Sequence, residues 1–215
     1  TAAPEYPKGR GLLAGKTVLV TAAAGTGIGY ATARRCAEEG AAVFLSDLHE
    51  RRLHEAAEKL ERETGLRPGL QLCDVTQQSQ VDALVATAIG AWGHIDVLVN
   101  NAGLGGYANV VEMQDEQWAK VLDVTLTATF RMTRAVLPHM IARKTGAIVN
   151  NASVLGWRAQ EGQSHYAAAK AGVMALTRCV AMEVAEHGVS VNAVSPSLAT
   201  HEFLAKVTRQ GLLDQ

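Results

Sequence analysis

Short apolar runs and longer mixed stretches alternate along the chain. Val, Ile and Leu cluster at 17–21, 42–46, 70–73, 95–100, 147–150 and 189–194, in runs of four to six residues. Runs this short and this continuously apolar suit strands buried on both faces. Between them, 31–39, 51–63, 80–92, 115–142 and 165–187 read as helices. The alternation predicts an α/β fold: a doubly wound parallel sheet of Rossmann-like form in a single domain. No repeat, low-complexity tract or interdomain linker interrupts it, and the polar stretch 61–65 reads as a helix end. The domain is expected over 12–215, with 1–11 as an N-terminal extension.

Composition narrows the possibilities. The 215 residues suit one sizeable domain, and 48% hydrophobic against 19% charged residues suits a large core. A formal net charge of −1 without a long basic run gives no electrostatic support for binding nucleic acid or an anionic membrane. No apolar stretch approaches the ~20 residues that span a bilayer. Residues Thr1 to Pro7 do not read as a signal peptide, and without an initiator Met the numbering is expected to begin inside a longer chain. Cys36, Cys73 and Cys179 are scattered, with no Cys-x-x-Cys, so neither a disulfide framework nor a zinc site is implied. A cytoplasmic setting with reduced thiols is the expectation. The seven histidines form no ligand-spaced cluster, and no metal is expected.

The first apolar run ends in Thr21, followed by Ala22-Ala23-Ala24-Gly25-Thr26-Gly27-Ile28-Gly29 and then a helix. Small residues there let the backbone approach a pyrophosphate, whose charge suits the free amides at a helix start. The alternative is a tight turn with no ligand. No Gly-Lys-Ser/Thr follows, so this is not a P-loop. Asp47 closes the second strand, where a carboxylate can accept both adenosine ribose hydroxyls and repel a 2′-phosphate. This favours NAD over NADP; the competing reading of Asp47 is a helix cap. Arg51 and Arg52 lie one turn further on and are expected to face water. Asp74 and Val75 end the third strand, where Asp74 either meets an adenine amine or builds a plain turn. Asn100-Asn101-Ala102-Gly103 ends the fourth strand: the Asn side chains can tie strand ends together and Gly103 permits close approach of a cofactor. Gly105-Gly106 is expected to form a mobile rim.

Tyr166 and Lys170 sit four residues apart, on one helical face, with Ser153 thirteen residues upstream. A neighbouring ammonium is expected to lower the phenol from its usual pKa of ~10. The tyrosine could then trade a proton with an alcohol or ketone while a serine hydroxyl bonds the same oxygen. Tyr-x-x-x-Lys alone arises often by chance. Behind a nucleotide-binding N-terminus and a serine, it is a specific signal.

These motifs resemble the short-chain dehydrogenase/reductase family, in its single-domain 3-oxoacyl-reductase type, from about Leu12 to Pro196. The resemblance implies an NAD(P)-dependent interconversion of a secondary alcohol and a ketone. Tyr166 is then the general acid/base, Lys170 lowers its pKa and holds the nicotinamide ribose, and Ser153 orients the carbonyl. Thr21, Gly25, Gly27, Ile28, Gly29, Asp47, Asp74, Val75, Asn101, Ala102, Gly103 and Pro196 join Tyr166 and Lys170 as cofactor-binding positions. The run Asn150 to Gln160 and the loop Thr21 to Gly29 look like an actinobacterial subgroup that acts on steroid-ring remnants carried as coenzyme A thioesters. Family members pair as dimers or tetramers through the helices matching 115–142 and 165–187, which implies a homo-oligomer.

Several positions depart from the family pattern. The phosphate loop lacks the family's first glycine, having Ala22 or Ala23 there. Thr125 stands where an asparagine usually helps hold a proton-relay water; the alternative is simple packing. Pro196-Ser197 replaces Pro-Gly, and the downstream threonine is Thr200 or is replaced by His201. Family members usually continue with another helix and a seventh strand beyond the position of Gln215, and the chain is expected to be incomplete there rather than to lack the strand. Leu104, Tyr107, Val154, Trp157 and Leu204 could line an apolar substrate pocket, and Arg158 could meet a coenzyme A phosphate or simply face water. The rival reading is a non-catalytic dinucleotide sensor on the same fold.

Overall fold

The computed structural model describes residues 6–197 and residue 199. Six strands form one parallel sheet in the order β3-β2-β1-β4-β5-β6: β1 (Thr17–Thr21), β2 (Ala42–Asp47), β3 (Gly69–Leu72), β4 (Val97–Asn100), β5 (Gly146–Asn151) and β6 (Val189–Val194). Helices α1 (Ile28–Glu38), α2 (Glu50–Thr64) and α3 (Gln78–Trp92) connect the first four strands. Helices α4 (Asp115–Leu122) and α5 (Ala128–Arg143) lead to β5, and α6 (Ser164–Val184) leads to β6. The winding runs outward from β1 to β3, then returns to place β4 against the other side of β1. In such a sheet the crevice at this reversal, outside the strands' C-terminal ends, is where ligands bind.

Successive residues of β1 point to opposite faces. Val18 and Val20 pack with Val43, Leu45 and Leu53 on one face. Leu19 packs with Phe44, Leu98, Ile148, Met132 and Met140 on the other. Both faces are therefore dry, and this is why the strands read as continuous apolar runs rather than alternating ones. Polar chemistry is displaced to the strand ends.

Two boundaries differ instructively from the sequence pattern. Ile95 and Asp96 precede β4 because Asp96 is a junction: its carboxylate accepts from Thr17 N (3.0 Å) and from Arg143 (3.0 Å). The long helix expected over 115–142 is interrupted by one π turn, Asp123–Thr127, between α4 and α5. Such turns insert a residue into the helical ladder and commonly sit at functional sites. Among the described residues, no helix is long and apolar enough to cross a membrane.

The segment before β1 is fastened to the end of α1. The Glu39 carboxylate accepts from the backbone amides of Arg10 (2.8 Å) and Leu12 (3.1 Å), which hold it below the usual carboxylate range. Arg34 and Arg35 lie over the Tyr6 ring, and Tyr6 Oη donates to Glu38 (2.7 Å). A side chain on Gly9 would collide with the Glu38 carbonyl oxygen. Gly9→Ala is therefore expected to lift this arm and destabilise the fold by about 1–3 kcal/mol. A lower melting temperature with faster proteolysis before residue 15 would show it; unchanged values would make the arm a passive tail.

Candidate active site

The phosphate loop is held by the neighbouring strands. Ala23 N donates to Ser46 O (3.0 Å), and Ala24 N donates to the Asp47 carboxylate (3.1 Å). Ala22, one of the two candidates for the position of the family's first glycine, takes a left-handed conformation, φ 49°. That backbone disfavours any residue with a Cβ by ~1–2 kcal/mol. Helix α1 starts at Ile28, inside the loop rather than after it. Its cap residue, Gly27, supplies no side-chain acceptor, and the first turn has no acidic residue. The amides of that turn lie at the reversal crevice, and a Cβ on Gly25 or Gly27 would meet nothing within 4 Å. A dinucleotide pyrophosphate fits this donor set. Gly29 is needed for packing instead, since a Cβ there would collide with the Ala22 carbonyl and Asn101 Nδ2.

Asp47 is buried at the end of β2. Its carboxylate accepts from His49 N (3.0 Å) as well as Ala24 N, so it orders both the phosphate loop and the approach to α2. Burial pushes its pKa up, opposed by the Ala24 amide and by Arg52. Arg51 faces water and pairs with Glu55. Asp74 builds its own turn, accepting from Thr76 N (2.9 Å) and Thr76 Oγ1 (2.7 Å), and Val75 is buried beside it. The turn reading of Asp74 is therefore realised in this geometry.

At the C-terminal ends of β4 and β5 the chain repeats itself: Val99-Asn100-Asn101-Ala102 and Val149-Asn150-Asn151-Ala152. Asn100 Nδ2 donates to Asn150 Oδ1 (2.9 Å), and Asn150 Nδ2 donates to Thr177 Oγ1 on α6 (2.9 Å). One residue on, Asn151 Nδ2 donates to Asn101 Oδ1 (2.9 Å). The Thr21 hydroxyl accepts from the amides of Asn101 (3.0 Å) and Ala102 (3.1 Å). The Asn150–Asn151 half of this pairing was not anticipated as a site feature; the repeated tetrapeptide was the available signal.

Helix α6 and the turn after β5 bring Ser153, Tyr166 and Lys170 together. Lys170 Nζ lies 5.5 Å from the Tyr166 ring centre and donates to the Asn151 carbonyl. Lys170 is buried, which lowers its pKa to about 8. Tyr166 moves the other way from the sequence-based expectation. Burial raises its pKa, and only the hydrogen-bonding Ser153 hydroxyl opposes this. Desolvation dominates both groups because it disfavours the charged form of each. Ser153 Oγ also accepts from Leu155 N (3.2 Å), which fixes the serine at the start of a short 3-10 turn. Pro196 closes this side, its carbonyl accepting from Val154 N (3.0 Å).

Thr125 lies in the π turn, fully buried. Its hydroxyl accepts from Leu104 N (3.0 Å) and donates to Leu104 O (3.1 Å). The hydroxyl proton and one of its two lone pairs are thus committed to the rim loop, which leaves one lone pair to accept from a water. The hydroxyl is not back-bonded within its own helix.

The rim carries several tethers. Gln163 Nε2 donates to Gly106 O (2.6 Å), Ala108 N donates to Gly162 O (3.0 Å), and Tyr107 Oη donates to Glu161 (3.2 Å). The rim glycines lie along α6: a Cβ on Gly103 would sit 3.5 Å from Lys170 Nζ, and one on Gly105 3.9 Å from Tyr166 Cδ2. Trp157 and Tyr107 remain exposed at the mouth, as does Arg158, while Leu104 and Val154 are half-buried. Thr200, His201 and Leu204 lie outside the described residues.

Comparison with known proteins agrees with this geometry. The family model described as short chain dehydrogenase matches residues 16–211. The chain is 60% identical over 214 residues to the (5R,7aS)-5-hydroxy-7a-methyl-1-oxo-2,3,5,6,7,7a-hexahydro-1H-indene-carboxyl-CoA reductase of Mycobacterium tuberculosis, covering 99% of this chain and 82% of that one. It is similar to a crystal structure of a short chain dehydrogenase from Mycobacterium smegmatis, with TM-score 0.88 and 59% identity over 93% of this chain and 83% of that one. NAD+-bound xylitol dehydrogenase gives TM-score 0.86 at 36% identity over 93% and 79% of the two chains. A purely non-catalytic role has no counterpart in these matches. With the family model running through all six strands and a named reductase sharing three residues in five, the chain is a member of the short-chain dehydrogenase family, an oxidoreductase of CH–OH and carbonyl groups.

Proposed function

We propose that the protein reduces a ketone on a bulky, bicyclic steroid-derived acid carried as a coenzyme A thioester, using NAD(H), with the reverse oxidation open to the same site. The observation that carries this is the meeting of Ser153, Tyr166 and Lys170 beside the reversal crevice. The nicotinamide, when bound, supplies or accepts the hydride. Tyr166 donates the proton to the carbonyl oxygen, and its raised pKa keeps it protonated and ready to do so. Ser153 bonds the same oxygen. Lys170, charged below its pKa, stabilises the phenolate that forms. Thr21, Gly25, Gly27, Ile28, Gly29, Asn101, Ala102 and Gly103 shape the pyrophosphate and nicotinamide side of the crevice, with Pro196 beside Ser153. Asp47, Asp74 and Val75 lie at the adenosine side. Asp47 favours NAD because a 2′-phosphate would meet a carboxylate.

The 60% identical relative is named for a CoA-linked bicyclic substrate. Exposed Trp157 and Tyr107 offer apolar contact at the mouth, and exposed Arg158 offers a cation for a phosphate. Comparing bicyclic ketones as free acids and as coenzyme A thioesters tests the substrate class; equal efficiency with both would remove the thioester requirement. Trp118, Phe130 and Met182 are exposed on α4, α5 and α6, which supports a homo-oligomer formed through these helices in a cytoplasmic enzyme.

Tyr166→Phe should cut turnover by roughly 10²-fold or more while dinucleotide binding stays close to unchanged. Near-normal turnover would remove the central assignment.

The pKa of Lys170, lowered to about 8, sets a pH limit. Below it the ammonium is present; as pH rises through it the charge that stabilises the phenolate is lost. The reductive rate should therefore be flat below about pH 8 and decline above it. Lys170→Arg, which keeps its charge at all these values, should be slower but lack that decline. A kcat–pH series on both proteins checks this.

Asp47→Ala combined with Leu48→Arg should shift preference towards NADP by about tenfold or more, through lost repulsion and a new phosphate partner. Efficiency measured with both cofactors decides it, and a wild type that already prefers NADP would overturn the NAD reading.

Thr125→Val keeps shape but strands both Leu104 backbone groups, so stability should fall by about 1–3 kcal/mol and substrate KM should rise more than kcat falls. Thr125→Ser should restore both. A shifted pH profile with unchanged KM would instead return Thr125 to a proton relay.

A further inference from the structure

We infer that Asn151 is a positioning residue that couples the seating of the dinucleotide to the proton chemistry of Lys170, through a chain of amides crossing from β5 to the phosphate loop. The inference rests on the dinucleotide-dependent reading of the site given above.

The chain can be followed atom by atom. Lys170 Nζ donates to the Asn151 backbone carbonyl. The Asn151 side chain donates through Nδ2 to Asn101 Oδ1 (2.9 Å). Asn101 Nδ2 in turn donates to Thr21 O (3.2 Å) and Ala22 O (3.0 Å), the first two carbonyls of the phosphate loop. One path of hydrogen bonds thus spans β5, β4 and β1 and ends on the left-handed residue of the loop.

The orientation of each amide follows from chemistry. Asn101 faces two carbonyls and must present its NH2 to them. Its oxygen therefore points to Asn151, which must also present an NH2. This leaves Asn151 Oδ1 buried without a partner among the described residues. Asn100 Oδ1 is likewise buried without a partner among the described residues, so what sets Asn151 apart is where its pair leads. The neighbouring pair makes the contrast. Asn100 and Asn150 point to the opposite face and link to Thr133 (3.1 Å) and Thr177 (2.9 Å), inside the protein. The second pair alone reaches the phosphate loop.

The chain has little slack. Gly29, in the first turn of α1, packs so closely on Ala22 O and Asn101 Nδ2 that a methyl group would collide with both. A displacement of the loop therefore moves Asn101, and Asn101 cannot rotate without facing carbonyl against carbonyl. At the other end, Lys170 meets Tyr166 of its own helix and the carbonyl of Asn151 of β5, with Gly103 of the rim beside it. Tyr166 is the one other titratable group among these, so a shift of the Asn151 carbonyl acts on Lys170 without a competing charge.

The test uses Asn151→Ala and Asn151→Asp in the full chain, with three measurements: the dissociation constant for NAD, the kcat–pH profile and the melting temperature. Asn151→Ala should weaken NAD binding about fivefold or more and move the alkaline limb of the profile by at least about half a pH unit. Asn151→Asp, nearly the same shape, sets an acceptor against Asn101 Oδ1. It should weaken NAD binding at neutral pH and regain part of it at acid pH, where a protonated carboxyl can donate. Asn101→Ala combined with Asn151→Ala should be no worse than Asn101→Ala alone for either readout. Should Asn151→Ala not fold, the acid-pH recovery of Asn151→Asp decides the matter. A folded Asn151→Ala with unchanged NAD affinity and an unmoved alkaline limb, whatever its melting temperature, overturns the inference. Failure of the underlying reading is a separate result, since the wild type itself would then bind no dinucleotide.

Discussion

Asn101 occupies the point where the winding of the sheet reverses. Strands β1 and β4 are hydrogen-bonded neighbours, yet the chain leaves β1 towards one edge and leaves β4 towards the other. The two departing loops open a crevice, and no regular ladder can close it. The carboxamide of Asn101 closes it at one level, with its NH2 on the Thr21 and Ala22 carbonyls and its oxygen on Asn151. The bridge holds the start of the phosphate loop, and the Asp47 carboxylate holds the next part of it at Ala24 N. The absence of a side chain at Gly29 is what allows the helix to come close enough for the bridge to hold.

Burial, more than any charge pair, sets the character of the proposed proton-transfer groups. Tyr166 and Lys170 both have their neutral forms favoured, one pKa rising and the other falling to about 8. This separates their roles. The phenol remains a donor over the ordinary pH range, while the amine is close to the point where a small change in surroundings alters its charge.

The substrate side shows how a glycine-rich loop can be firm. Gly103, Gly105 and Gly106 allow the rim to lie directly on α6, and the ordering comes from elsewhere: the Thr125 hydroxyl, Gln163 and the pairing of Ala108 with Gly162. The π turn matters because it places Thr125 opposite Leu104. A regular helix through 123–127 would point this hydroxyl elsewhere.

Much of this was legible in the sequence because local rules act there. Consecutive apolar residues announced strands buried on both faces, and their alternation with helical stretches announced the winding. Tyr166 and Lys170 share a helix face by spacing alone, and Thr21 to Gly29 needs small residues for any close backbone approach. What the sequence could not reveal depends on contacts between distant segments. The lowered Lys170 and raised Tyr166 come from the desolvation that the whole fold imposes. The tie of Thr125 to Leu104 requires a π turn, which no short-range pattern marks. The union of Asn151 with Asn101 and the phosphate loop spans some 130 residues of chain, from Thr21 to Asn151. By itself, the sequence determined the fold class and the candidate residues for the chemistry, because residue type and helical spacing are local. Only the tertiary structure decided how their pKa values, orientations and partners are set, because burial and cross-strand hydrogen bonds exist only once separated segments have packed.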